Sequence, residues 1–189
     1  MSVLDFNTAE TNNFEVIPDG ETVHLILKFI AGDPADDLHA TKDGTGRLMK
    51  AELVVTEGKY AKRKLFLNQM LATTRRGAEA EGHQKAIDIS RSLLRSIVEA
   101  ARGVSPTDET AAAVAARKLN AIADLDQMEF WAVVGVEQSA GYADKNVIKR
   151  VLPAGKGPGE KAYNPAAESA SMKSAAGKAA GKTTTQKGW

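Results

Sequence analysis

The residues that could do chemistry are few and poorly placed for catalysis. The chain has three histidines, His24, His39 and His83, and no cysteine. Thiolate catalysis, a disulfide framework and cysteine-ligated zinc are therefore excluded. His24 alternates with apolar neighbours in "ETVHLILKFI" and has no nearby catalytic partner, which points to a structural or surface role. The loop "DPADDLHA" gathers Asp33, Asp36, Asp37 and His39. These are oxygen and nitrogen donors of the kind that hold divalent cations, but their spacing fits no known metal loop, and solvated acids are the expectation. "GKAAGKT" resembles a phosphate-binding loop. Only three residues separate Gly177 from Gly181, where four are needed, and the segment follows no buried strand. The expectation is a protein that is not an enzyme and carries no metal and no cofactor.

Cations and aromatics are a better lead. In "EGKYAKRKLFLNQ" three consecutive cations, Lys62, Arg63 and Lys64, stand between Tyr60 and Phe66. Lysines commonly protect a sheet edge. A track of cations with aromatic faces is also what a single-stranded nucleic acid needs, the cations for phosphates and the rings for bases. Read as strands, the pattern puts Lys50, Lys62, Lys64 and Phe66 on one face, and Trp131 opposite the Met128/Phe130/Val134 series. Tyr142, Lys145, Lys149 and Arg150 cluster at the last turn and strand, and Arg75 and Arg76 sit in a loop. The candidate DNA-binding residues are thus Lys50, Lys62, Lys64, Phe66, Arg75, Arg76, Trp131, Tyr142, Lys145 and Lys149.

The elements that must position them follow from periodicity. Alternation predicts strands over "ETVHLILKFI", "GRLMKAELVVTEG", the "EGKYAKRKLFLNQ" stretch, "MEFWAVVGVE" and "NVIKRVL". "QKAIDISRSLLRSIVEAARG" instead places Ile87, Leu94, Ile97, Val98 and Ala101 on one helical face, with Gly103 as its stop. Its charges, Arg95 and Glu99 at i,i+4 among them, read as a solvated face. A shorter Ala-rich helix is expected between Ser105 and Asn120. The order β-β-β-α-β-β predicts an all-β fold with an inserted helix, a five-stranded Greek-key barrel of the OB type. This domain is placed at 12–153, after an N-terminal arm (1–11). Residues 154–189 are Ala/Gly/Lys-rich and read as a disordered tail, in which Trp189 is a candidate partner-binding residue.

The charge is unevenly spread although the net charge is only +1. Residues 1–40 hold eight acids and one base, Lys28, whereas residues 154–189 hold two acids and six lysines. Such asymmetry often accompanies nucleic-acid contact. No signal peptide or membrane span is evident, so a cytoplasmic protein without membrane contact is expected.

"EGKYAKRKLF", "LLRSIVEAARGV" and "YADKNVIKRV" resemble elements of a phage family of OB-fold, single-stranded-DNA-binding-like proteins, over roughly residues 10–153. Ala61 stands where that family usually has Gly. The resemblance implies single-stranded DNA binding in phage replication or recombination, in the host cytoplasm. Phage replication or recombination proteins would be partners through the tail, and a homo-oligomer is a further expectation. The alternative is an OB-fold adaptor that contacts such a protein, with DNA binding incidental.

Overall fold

The computed structural model describes residues 16–138, 141 and 143–157. The arm at 1–11, Tyr142, and the tail from residue 158 with Trp189 lie outside the described residues. Strands β1 (Thr22–Ile30), β2 (His39–Ala40), β3 (Gly46–Val55) and β4 (Lys64–Thr73) come first. Helices α1 (Glu81–Ala101) and α2 (Ala111–Ala116) follow, and β5 (Glu129–Glu137) and β6 (Lys145–Val151) close the order. The protein is mostly β, an open antiparallel sheet of six strands with one long helix. The long strands run β4-β3-β1-β5-β6, and short β2 pairs with the start of β3. The two edges, β4 and β6, approach each other without a shared ladder, and α1 packs against β4, β5 and β6. Among the described residues no helix is long and apolar enough to cross a membrane.

Period-2 alternation builds one buried face. Val23, Leu25 and Leu27 of β1, Met49, Ala51, Leu53 and Val55 of β3, Leu65 and Leu67 of β4, and Phe130, Ala132 and Val134 of β5 all point inward. The apolar stripe of α1, with Leu94, Ile97 and Val98, completes the core. The helix stops where expected: Gly103 takes φ +71°, and the Val104 N–H donates to the Glu99 carbonyl at 2.8 Å.

Two local expectations are corrected. The cationic run is not a strand. Lys62 lies in the β3–β4 turn with φ +70°, and its N–H donates to the Val55 carbonyl at 2.7 Å. Only Lys64 begins β4. Val55 thus faces two residues, since its N–H also donates to the Arg63 carbonyl at 2.9 Å, a bulge that precedes β4, while Tyr60 in the turn packs against the core. The charged face of α1 is also not wholly solvated. Glu99 is buried, and its Oε1 accepts from Arg117 Nε at 2.6 Å and from Arg95 Nε at 2.8 Å. Arg117, just beyond α2, also donates to the Ser105 carbonyl, so the pair fastens the second helix to the first.

Candidate nucleic-acid interface

The sheet's other face carries the candidate residues, and ladder register orders them in rows. Trp131 lies opposite His24. The next row runs Glu129, Ile26, Val54, Lys64, followed by Lys28, Glu52, Phe66 and then Ile30, Lys50, Asn68. Lys50, Lys64 and Phe66 therefore share one face, as strand parity predicts. Lys62 joins them from the turn rather than from a strand.

Phe66 is the outlier of this surface. It is 67% exposed, on a strand whose alternate residues Leu65 and Leu67 are buried. An aromatic ring on an outer strand position, held by inward-facing neighbours on both sides, cannot retreat into the core without flipping the register of β4. It stands beside Lys64, which reaches across to Glu52 at 2.9 Å. Past Phe66 the surface falls into a depression of about 620 Å³ between β4 and β6, lined by Val16, Lys62, Arg63, Lys64, Lys145 and Asn146 among others. A smaller hollow of about 220 Å³ continues along the same seam, over Asn68 and Ile148.

A second aromatic station lies at the opposite side of the sheet. The Trp131 and His24 ring centroids are 4.9 Å apart with planes tilted by 42°. Together with Tyr60 and Lys59 they line a cup of about 400 Å³. His24 Nδ1 is 2.7 Å from Thr56 Oγ1, and Nε2 faces Glu129 at 3.9 Å. Gly157 passes so close that a Cβ there would meet the Trp131 indole at 3.6 Å. His24 and Tyr60 were not singled out as interface residues from the sequence. Their signal is the register that sets His24 against Trp131, which emerges only when β1 and β5 pair.

The remaining cations divide by partner. Arg75 donates to Asp43 at 2.7 Å and to Thr45 Oγ1 at 3.1 Å, which ties the β2–β3 turn to the end of β4. Hydrogen bonds from Thr41, Thr45 and Arg75 hold the Asp43 carboxyl well below the usual carboxylate range. Lys145 pairs with Glu137 at 3.1 Å, and Lys149 lies across Gly135 to reach Asp19 at 2.7 Å. That lysine is the main reason the Asp19 carboxyl is also lowered. Lys50, Lys62 and Arg76 form no ion pair among the described residues. The acidic loop is tied down by protein partners: Arg47 binds Asp36 through two guanidinium nitrogens and approaches Asp33 at 3.7 Å.

The chain matches no family model and no curated protein.

What the arrangement can do chemically follows from its parts. It offers an exposed ring and a partly covered indole, separated by three strand spacings, with lysines between and beside them.

Proposed function

We propose that this chain is an OB-fold protein that binds single-stranded DNA without sequence preference, in phage replication or recombination. The observation that carries the reading is Phe66, two-thirds exposed on the outer face of an edge strand, opposite Glu52, with Lys64 beside it, Lys50 diagonal to it and Lys62 on the rim of the same depression. The OB assignment is supported by the central place of β1 between β3 and β5, by the approach of β4 to β6, and by the helix inserted between β4 and β5. In that fold the outer face of the second and third long strands, here β3 and β4, is the usual oligonucleotide surface.

In mechanism, phosphates are neutralised by Lys50, Lys62 and Lys64, and bases stack on Phe66 and Trp131. Those rings stand roughly 20 Å apart, across three strand spacings of about 4.8 Å and an offset of four residues along the strands. A strand engaging both covers several nucleotides, within the range of about 4–16 for one OB domain. Lys64 must leave Glu52 to reach a phosphate, so its contribution is a difference between two partners.

A second reading is favoured by the protein-internal pairing of Arg75, Lys145 and Lys149. In it the domain is an adaptor for a replication or recombination protein and meets DNA only incidentally. Titration of a labelled oligo-dT by fluorescence anisotropy, with duplex as competitor, separates the two. Single-strand binding that resists duplex is expected. No preference over duplex would overturn the proposal and favour the adaptor.

A further inference from the structure

The depression between β4 and β6 has a built-in neighbour. Ile17 is buried and clamped to β6: its N–H donates to Asn146 Oδ1 at 2.8 Å, and Asn146 Nδ2 donates back to the Ile17 carbonyl at 2.8 Å. Val16, the residue before it, lines the depression itself. The chain N-terminal to Val16 therefore starts at this seam, whatever path it takes afterwards.

That segment, "MSVLDFNTAETNNFE", has an unusual composition. Asp5, Glu10 and Glu15 are its only charged side chains; it holds no Lys, Arg or His, and it carries Phe6 and Phe14. The depression it adjoins is its complement. Lys62, Lys64 and Lys145 line it beside Asp144, and Leu65 and Phe66 supply apolar surface. Lys64 and Lys145 are paired on its rim with Glu52 and Glu137, whereas Lys62 forms no ion pair among the described residues. Both strands bordering it, β4 and β6, are sheet edges.

We propose that residues 1–15 dock in the β4–β6 depression as an intramolecular competitor of single-stranded DNA, with Glu15 toward Lys62 and Lys64 and Phe14 against Phe66. Acidic and aromatic groups alternate there as phosphates and bases do, and they address the same lysines and the same ring. A short tether places them at an effective concentration of order millimolar. Weak contacts then suffice to occupy the site until a long polyanion displaces them, and added salt weakens occupant and competitor together. The docking stands on the groove and the segment; its role as a competitor rests on the single-strand-binding reading.

The test uses the full chain and two charge-neutralised variants. The first is Asp5→Asn/Glu10→Gln/Glu15→Gln. The control is Glu79→Gln/Glu81→Gln/Asp88→Asn, which removes the same number of exposed acids from the start of α1 and the turn before it. Hydrogen exchange of the segment 62–68 is followed by mass spectrometry, and oligo-dT affinity by anisotropy. The expected result is faster exchange at 62–68 in the first variant only. Its oligo-dT affinity should rise about threefold to tenfold at low salt, a gap that closes as salt is added. Unchanged exchange would overturn the docking, whatever the DNA result. Protection that grows with protein concentration would overturn the intramolecular form and assign the segment to a second copy. An equal gain in affinity for the control would overturn the competition, leaving only a net-charge effect. Faster exchange with no oligo-dT binding by any form would support the docking and refute the single-strand reading itself.

Discussion

Replacing Phe66 by Ala tests the proposed interface where it is most exposed. The ring shields little of the protein. With 67% of the residue accessible, about one-third of its surface is buried. For a Phe of about 150–250 Å² that is roughly 50–80 Å², worth about 1–2 kcal/mol at 25 cal/mol per Å², as an upper bound. Its inward neighbours Leu65 and Leu67 remain to hold the strand, so the fold survives. Loss of a stacked base, by contrast, removes about 1–3 kcal/mol of binding, a rise in Kd of about fivefold to 150-fold. Oligo-dT anisotropy at constant salt gives this directly, and a urea melt of each variant checks the fold. Because no cation is removed, the dependence of log K on log salt should keep its slope while the whole line drops. Phe66→Trp should restore affinity. A folded Phe66→Ala protein whose Kd stays within twofold of the parent, or a change in slope rather than height, would refute stacking at this ring.

The lysines should act on the other axis: Lys62→Ala/Lys64→Ala is expected to flatten the salt slope by about 1.4, at 0.7 per single-strand phosphate contact. An unchanged slope would exclude both from the track. Glu99→Ala should destabilise the domain by about 3 kcal/mol because it strands the largely buried Arg117 guanidinium. Arg95→Ala, whose side chain is half exposed, should cost under about 1 kcal/mol; urea midpoints of equal size would refute the distinction. The Asp43 carboxyl is depressed by Thr41, Thr45 and Arg75, so it binds its proton less readily folded than unfolded. Its contribution is fully present above the ordinary carboxylate range and is lost as pH falls below it. The stability gap between the wild type and Asp43→Asn should therefore be flat from pH 7 to about pH 5 and shrink only at more acid pH. A gap that already shrinks between pH 7 and 5 would show that Asp43 is not the group responsible.

Much of the architecture was legible because its signals are local. Alternation in "TVHLILKFI" and "EFWAVVGVE" marks which residues face the core, since a strand repeats every two residues whatever it later pairs with. The 3.6-residue stripe of α1 and Gly103 at its end are likewise properties of one segment. Parity alone put Lys50, Lys64, Phe66 and Trp131 on the outer face. What the tertiary structure decided depends on residues far apart in the chain. Lys62 meets Val55 from a turn, at φ +70°, rather than from a strand, and Arg117, eighteen positions from Glu99, converts a surface acid into a buried anchor. Asp19 reaches Lys149 across 130 positions, and His24 meets Trp131 only after β1 and β5 have paired. The seam beside Phe66 exists because β4 and β6, never neighbours in sequence, come together without closing their ladder. Periodicity reports which way a side chain points; only the pairing of distant strands reports what it meets there.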